Sequence, residues 1–265
     1  MAALTILHED DSLIAVAKPA GIATANVPAG EESVFTLVRS LIARKSRQKP
    51  PSAGPGAAAR AAGGGPFLGV VSRLDKPVSG VVVLAKTRAA AASLAAQFRE
   101  SSIEKTYHAI VEGRFPAAVG QWVTWRDLIE RPEDARERGA DRGRSRASTA
   151  RPAEGDDDGS DRGRPAELRA RVLKRFGEVS IVELRPLTGR RHQLRAQCAA
   201  HGCPIVGDRM YGARLPFPAG VALHAREIAF GHPATGRPCR IMAEFPEAWR
   251  PRFAPLIAAI AAMRG

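Results

Sequence analysis

Cysteine is scarce in this chain of 265 residues, which contains three: Cys198, Cys203 and Cys239. An odd number of cysteines in a long chain argues against a disulfide framework and favours free thiols in a reducing compartment. Cys198 and Cys203 flank His201, but neither a second ligand pair nor a C-x-x-C spacing accompanies them. We therefore expect these side chains to pack in the protein rather than to bind a metal ion.

Long apolar runs are also missing. The N-terminal MAALTILHEDDSL reaches acidic residues too early for a secretory signal, and the C-terminal FAPLIAAIAAM is too short to cross a bilayer. We therefore expect a soluble, cytoplasmic protein that has no membrane partner.

Acidic residues are outnumbered, with 27 Asp and Glu against 40 Lys and Arg, which gives a net charge of +13. Such a surplus favours a polyanionic partner, nucleic acid above all, through phosphate contacts and counterion release. The alternative is that the arginine content reflects genome-wide codon usage. The hydrophobic content of 45% is sufficient for a substantial core.

Two segments have no periodic apolar face. Residues 44–66 are basic and rich in Pro, Gly and Ala, which predicts a flexible loop. Residues 131–165 contain almost no large apolar side chain, so burial cannot offset the entropy of ordering them, and we expect an irregular insertion. We expect one domain over residues 1–265, and a monomer.

The remaining sequence alternates between predicted strands and helices. Strands are predicted in TILHEDDSLIAVAK, FLGVVSRLDKPVSGVVVLAKT, EKTYHAIVEG, LRARVLKR, EVSIVELRPL, LHAREIAFGHP and RPCRIMAEF. Thr87 is placed to cap an Ala-rich helix, and TGRRHQLRAQCAAHG predicts a turn and a helix that ends at Gly202. Because strands outnumber helices and often follow each other directly, we predict an α+β fold with a mixed, largely antiparallel central sheet and flanking helices.

Four basic residues stand at the start of the second predicted helix: Arg190, Arg191, His192 and Arg195. Free N–H groups and the helix dipole already create positive potential there, so added cations are locally unfavourable. They make sense if a phosphate or carboxylate occupies the site. The alternative is that the arginines extend into water, or that Asp208 or another acid pairs with them structurally.

Asp75 lies in the turn-forming stretch SRLDKPVSG, between Arg73 and Lys76. A lone aspartate in a turn more commonly bonds local backbone than performs catalysis. Tyr107 similarly has a structural interpretation, because a tyrosine on a strand usually packs in the core. Neither residue, considered alone, indicates a specific function.

Considered together, several motifs resemble the RluA-type pseudouridine synthase family. They are, in order, RLDKPVSGVVVLAKT, EKTYHAIVEG, TGRRHQLR, HGCPIVGDRMYG and LHAREIAFGHPATG, and ILHEDDSLIAVAKPAG is similar to the family's first strands. An ordered set of this kind is far more specific than one short motif. The resemblance implies the pseudouridine synthase catalytic fold with a basic RNA-binding cleft. Because the chain begins directly with these strands, no separate N-terminal RNA-binding domain is expected.

The resemblance also implies a role for each matched residue. Asp75 would act on the target uridine as nucleophile or base, Tyr107 would stack on the base and assist proton removal, and Arg195 would pair with Asp75. Arg73 would help to displace the flipped nucleotide. The residues expected to contact RNA are Arg73, Lys76, Arg190, Arg191 and His192.

The implied reaction converts uridine to pseudouridine in ribosomal or transfer RNA. It breaks the N1–C1′ bond and rejoins the ring through C5 without net redox change, so no cofactor and no metal are expected. A catalytically inactive RNA-binding protein or chaperone with the same fold is the main alternative. A base-excising glycosidase, which would release free uracil, is a second one.

Four residues depart from the family's usual pattern: Ser72 and Gln197 where His is common, and Val78 and Arg191 where Thr is common. The nucleophile and its partners are retained. We therefore expect the departures to affect substrate choice and turn rigidity.

Overall fold

The computed structural model describes residues 4–48, 66–130, 149–152, 163–250, 254–255 and 257–258. These residues belong to two compact units, the first made of Met1–Ile103 and Glu227–Glu244, the second of Glu104–Arg226 and Phe245–Gly265. The division falls within strand β10, Leu223–Gly231. Strand β10 therefore contributes residues to both units. The expectation that residues 1–265 form one domain stays a prediction.

The first unit contains short antiparallel strands and two helices. Its elements are β1 Thr5–Glu9, β2 Leu13–Lys18, α1 Val34–Gln48, β3 Gly69–Val70, β4 Ser79–Ala85, α2 Arg88–Arg99, the end of β10, and β11 Pro238–Met242. β2 pairs with both β1 and β4, β3 pairs with β4, and β11 pairs with the end of β10, all in antiparallel register.

Strand β4, SGVVVLA, is buried along its whole length, because both faces of this sheet are covered. On one face, Ile14, Val16, Val82 and Leu84 pack against Val34, Val38 and Ile42 of α1. On the other face, Leu13, Ala15, Val81 and Val83 pack with Leu94, Ile103, Ile228, Phe230, Ile241 and Ala243. The alternation follows from the period of two in a strand.

The second unit contains the longer strands. Its elements are β5 Glu104–Glu112, β6 Trp122–Glu130, β7 Thr149–Pro152, β8 Arg164–Phe176, β9 Val179–Pro186, α3 Gln193–Ala200 and the start of β10. Two 3₁₀ turns, Arg209–Tyr211 and Glu247–Trp249, follow α3 and β11 in the chain. The strand order is β5-β9-β8-β6-β7, with antiparallel pairing throughout.

Most predicted elements are confirmed, including the largely antiparallel α+β architecture. The Thr87 hydroxyl accepts a hydrogen bond from the N–H of Ala90 and caps α2 as expected. Gly202 follows α3 with a φ of +72°, a conformation that ends helices and favours glycine. The three cysteines are free thiols. No helix within the described residues is long and apolar enough to span a membrane.

The predicted loop 44–66 is wrong over its first five residues, which belong to α1. Val34, Val38 and Ile42 recur every four residues and are buried, so the helix has an apolar face that continues into a basic end. Residues 49–65 lie outside the described residues.

The predicted irregular insertion 131–165 is wrong in two places. Residues 149–152 form β7, which pairs with residues 127–130 of β6, and residues 164–165 already belong to β8. Main-chain hydrogen bonds hold an added strand without large apolar side chains, so composition gave no sign of it. Residues 131–148 and 153–162 lie outside the described residues.

Candidate active site

The stretch that carries Asp75 is bonded to the first unit at every second residue. The Ser72 hydroxyl accepts from the N–H of Val83, at 2.8 Å. Both main-chain groups of Leu74 bond the buried Thr24 hydroxyl, which accepts from the N–H at 3.1 Å and donates to the carbonyl at 3.0 Å. The Leu74 side chain packs on the core that α1 covers.

The same alternation continues at Lys76. Its carbonyl accepts from the N–H of Gly21, at 2.8 Å, and from Lys18 Nζ, at 3.1 Å. A turn then follows, in which the N–H of Val78 donates to the carbonyl of Asp75, at 3.0 Å. The main chain around Asp75 is therefore fixed on both sides.

The alternation determines where Arg73 and Asp75 point. Since the Leu74 side chain faces the core in an extended stretch, its two neighbours face the other way. Arg73 and Lys76 are exposed, and Asp75 is half-buried. The structure therefore brings Arg73, Asp75 and Lys76 together on one loop with a charged outer side.

Lys18 is a buried cation at the end of β2, with 1% of its surface exposed. Its ammonium donates to three carbonyls, those of Pro19, Ile22 and Lys76. Burial lowers the pKa of Lys18 to about 8, and the negative charge of Asp75 partly opposes this shift. Lys18 therefore both braces the loop and places positive potential near the Asp75 carboxylate.

In the second unit, Arg195 lies in the first turn of α3 and is 4% exposed. Its Nε and Nη2 donate to the two carboxylate oxygens of Asp208, at 2.6 and 2.9 Å. The guanidinium also lies over the Tyr211 ring, 5.0 Å from its centroid. The structural pairing with Asp208 is thus confirmed for Arg195, and its pairing with Asp75 stays a prediction.

The turn before α3 is held by Gln193, whose side chain is 4% exposed. Its Oε1 accepts from the Thr188 hydroxyl and the N–H of Arg190, at 2.8 and 2.9 Å, and its Nε2 donates to the carbonyl of Glu167, at 3.1 Å. The side chain of Arg190 donates from Nε to the carbonyl of Pro165, whereas Arg191 is exposed.

His192 occupies the position just before α3 with a φ of +55°, which is unusual for a residue other than glycine. Its Nδ1 lies 3.0 Å from the Tyr211 hydroxyl. His192, Arg195 and Tyr211 therefore form one contact group that begins at the helix start. Tyr107 lies on β5, opposite Leu184 of β9, and is half-buried.

Gln197 stands where the resemblance implies a histidine, and the structure gives it a structural role. Its Nε2 donates to the buried carboxylate of Asp127, at 2.6 Å. His201 reaches the same carboxylate and stacks on Trp125, with 4.1 Å between ring centroids. These contacts fix α3 on β6, and with it the position of Arg195.

The sequence did not predict four residues of the candidate site: Lys18, Thr24, Gln193 and Tyr211. A signal existed for Lys18, since a lysine that ends an otherwise buried strand is unusual. No comparable signal existed for Thr24 and Gln193, because the Thr24 hydroxyl bonds the main chain of Leu74, 50 residues away, and the Gln193 amide reaches the carbonyl of Glu167, 26 residues away. The action of Asp75, Tyr107 and Arg195 on one substrate stays a prediction, because Asp75 belongs to the first unit and the other two to the second.

Comparison with known proteins adds independent information. Residues 12–200 match the model of the family described as RNA pseudouridylate synthase. The chain is 31% identical over 250 residues to ribosomal large subunit pseudouridine synthase C of Vibrio vulnificus, covering 91% of this chain and 66% of that protein. It is 33% identical over 259 residues to ribosomal large subunit pseudouridine synthase D of Xanthomonas campestris, covering 92% of this chain and 66% of that protein.

The fold is also similar to a solved structure. Human RNA pseudouridylate synthase domain containing 4 superposes with a TM-score of 0.67 at 23% identity, covering 98% of this chain and 93% of that one. The chain spans about two thirds of the length of the curated relatives that it matches. The family match covers most of this chain, including the Asp75 loop and the start of α3. The chain therefore belongs to the RNA pseudouridylate synthase family.

Proposed function

We propose that this protein isomerises uridine to pseudouridine in RNA, with Asp75 as the essential carboxylate. The observation that carries the proposal is the fixed loop around Asp75, which Lys18 and Thr24 hold in place within a chain that belongs to this family. Such bracing suits a group that must meet a reacting atom in one geometry. A surface aspartate in a mobile turn would not need it.

The reaction requires three events that these residues can serve. The N1–C1′ bond breaks, a C5–C1′ bond forms, and the proton from C5 is lost while N1 gains one, so atoms and charge balance without an external reductant or energy source. Asp75 acts on the nucleoside as nucleophile or base. Tyr107 stacks on the base and assists removal of the proton.

Arg195 acts through its fixed position. Asp208 engages its Nε and Nη2 and keeps the guanidinium in one orientation. We propose that the remaining side of the guanidinium faces Asp75 in the working enzyme, where it orients the carboxylate and offsets the cost of burying its charge. In this arrangement Arg195 is a positioning residue, and Asp75 is the group that touches the substrate.

The substrate class that we propose is ribosomal RNA. The relatives from Vibrio vulnificus and Xanthomonas campestris are named for the large ribosomal subunit. The net charge of +13 suits a polyanionic substrate. The exposed cations proposed to contact RNA are Arg73, Lys76 and Arg191, together with His192 and the Nη groups of Arg190.

The first experiment compares the wild type with Asp75→Asn and with Asp11→Asn, an exposed carboxylate in the β1–β2 turn that serves as the matched control. Each protein is incubated with unmodified ribosomal RNA of its host, and pseudouridine is mapped by a chemical probe. We expect modification at a discrete site with the wild type and Asp11→Asn, and a loss of at least about 1,000-fold with Asp75→Asn, because an amide is a poor nucleophile and base.

The alternatives give different results in the same tube. RNA binding by the wild type without pseudouridine would favour a non-catalytic RNA-binding protein. Release of free uracil would indicate a glycosidase. Residual turnover of Asp75→Asn above a few per cent of the wild type would remove Asp75 from its assigned role.

A further inference from the structure

One sheet face of the second unit carries an aromatic ring surrounded by arginines. Three guanidinium carbons lie near the centroid of the Trp122 ring, Arg171 at 4.6 Å and Arg169 and Arg185 at 5.0 Å. The four residues come from β6, β8 and β9. They are neighbours because Trp122 pairs with Arg171 and Arg169 pairs with Arg185. We call Trp122, Arg169, Arg171 and Arg185 the Arg–Trp platform.

The charges of the platform are not balanced within the described part of the chain. Glu183 is the carboxylate that contacts it: Oε2 accepts from Arg171 and Oε1 from Arg185. Arg169 is exposed and bonds no carboxylate among the described residues, so three guanidinium groups share one negative charge. Arg171 and Arg185 keep 32% and 47% of their side-chain surface exposed.

The register makes the excess charge more unfavourable. Arg169 lies directly opposite Arg185 on the neighbouring strand, and like charges in that position destabilise a sheet. Further along β8, Lys174 lies over the Phe176 ring, 5.0 Å from its centroid, and pairs with Ile181 after a bulge, which returns it to the platform's face. Cations and rings thus follow this strand over about 20 Å.

We propose that the Arg–Trp platform binds a single-stranded segment of the substrate RNA, outside the residues of the candidate active site. The proposal rests on the proposed function, since it assumes an RNA substrate. Guanidinium planes and aromatic rings are the surfaces on which unpaired bases stack, and the unengaged N–H groups suit phosphate oxygens. A bound strand would supply the negative charge that the Arg169–Arg185 pair lacks.

Trp122 itself reports on occupancy, because the other two tryptophans, Trp125 and Trp249, are 5% and 1% exposed. The probe is an oligouridylate of about eight nucleotides, which has no stable secondary structure. We expect it to quench the tryptophan emission of the wild type, and the quenching to be lost in Trp122→Phe, which keeps a ring but removes the fluorophore. Equal quenching in both proteins would overturn the proposal.

A second measurement removes charge while keeping the ring. Arg169→Gln/Arg185→Gln is compared with Arg99→Gln/Arg237→Gln, which removes the same charge from exposed residues of the first unit. We expect the platform pair to weaken oligouridylate binding by about ten-fold and the control pair by less than about two-fold. Equal losses would show that only net charge matters and would overturn the proposal.

The proposed function and the platform fail in distinguishable ways. If the platform is right, Arg169→Gln/Arg185→Gln raises KM for ribosomal RNA by about ten-fold and leaves kcat within about two-fold. Absence of pseudouridine with the wild type, together with quenching that depends on Trp122, would reject the proposed function and retain the RNA-binding platform. Normal modification with unchanged KM would reject the platform alone.

Discussion

Lys18 carries a positive charge into the core of the first unit, where three carbonyls surround it. An ammonium is expensive to bury, so the bonds that it makes must offset the loss of water. The sequence keeps this lysine at the end of a strand whose other residues are apolar, LIAVAK. The position therefore serves the loop of Asp75 more than the strand itself.

We predict that Lys18→Met destabilises the protein by about 2–4 kcal/mol and abolishes most activity, because three carbonyls lose their donor, among them that of Lys76 in the Asp75 loop. Urea unfolding measures the first effect and pseudouridine formation the second. Lys45→Met is the control, since Lys45 is half exposed and pairs with Glu9 on the surface, where an ion pair contributes less than about 1 kcal/mol. Equal midpoints for the two variants would contradict the bracing role.

The carboxylate of Asp10, in the β1–β2 turn, contacts two histidines. Its Oδ2 lies 2.7 Å from His8 Nε2 and 2.9 Å from His232 Nε2, and its Oδ1 accepts from the N–H groups of Ser12 and Leu13. Burial opposes ionisation of Asp10, but these hydrogen bonds outweigh it and hold its pKa well below the ordinary value. The contact between Asp10 and His232 thus joins residues 222 positions apart in the chain.

The lowered pKa of Asp10 predicts how stability depends on pH. A carboxyl with a depressed pKa stabilises the fold above its unfolded value, near 4, and this contribution is lost as pH falls through the folded value. Asp10→Asn should therefore unfold at lower urea than the wild type at pH 7, and the difference should shrink only in strong acid. Asp11→Asn should show no such difference, and a gap that closes near pH 6 would assign the effect to another group.

At the scale of elements, β7 is the strand that the amino-acid composition of its segment did not indicate. It extends the sheet of the second unit at β6, beside the segment that pairs with the start of β8. The carbonyl of Pro165, at that start, accepts a hydrogen bond from Arg190. Loss of this region therefore affects both the sheet and the turn before α3.

We predict that deletion of residues 131–165 lowers the melting temperature by about 5 °C or more, because β6 loses a partner over residues 127–130. The matched control replaces residues 153–162 with ten Gly and Ser residues and keeps β7. β7 and β8 lie on opposite sides of β6, about two strand spacings apart, so a ten-residue linker spans the distance between them. Equal melting temperatures for the deletion and the control would show that β7 adds no stability.

At the scale of the whole molecule, the sequence predicted local structure better than long-range contacts. Alternating apolar residues gave the strands, and Thr87 and Gly202 marked helix ends, because those signals act within a few residues. The Asp75 loop was located by its motif, but the contacts that Thr24 and Lys18 make with it bridge 50 and 58 residues of sequence. Such contacts depend on strand order, which no local pattern encodes.

Helix α1 shows that composition can also mislead a prediction of local structure. Its basic end, rich in Arg and Lys, resembled a loop in composition, although it continues an amphipathic helix whose buried residues Val34, Val38 and Ile42 are regularly spaced. The Arg–Trp platform was equally hidden, because its residues come from three strands and become neighbours only through register. Net positive charge predicted an anionic partner but not where on the surface the charge is concentrated.

The core of the first unit also sets an order of events during synthesis. Its cluster joins Leu13, Val81 and Leu94 to Phe230 and Ala243, so the last contributor is made about 140 residues after Ile103. At about 5–20 residues per second, a ribosome needs roughly 7–30 s to cover that distance. During this interval the early strands expose an incomplete apolar face, and a nascent chain halted near residue 200 should recruit chaperones that the finished protein does not need.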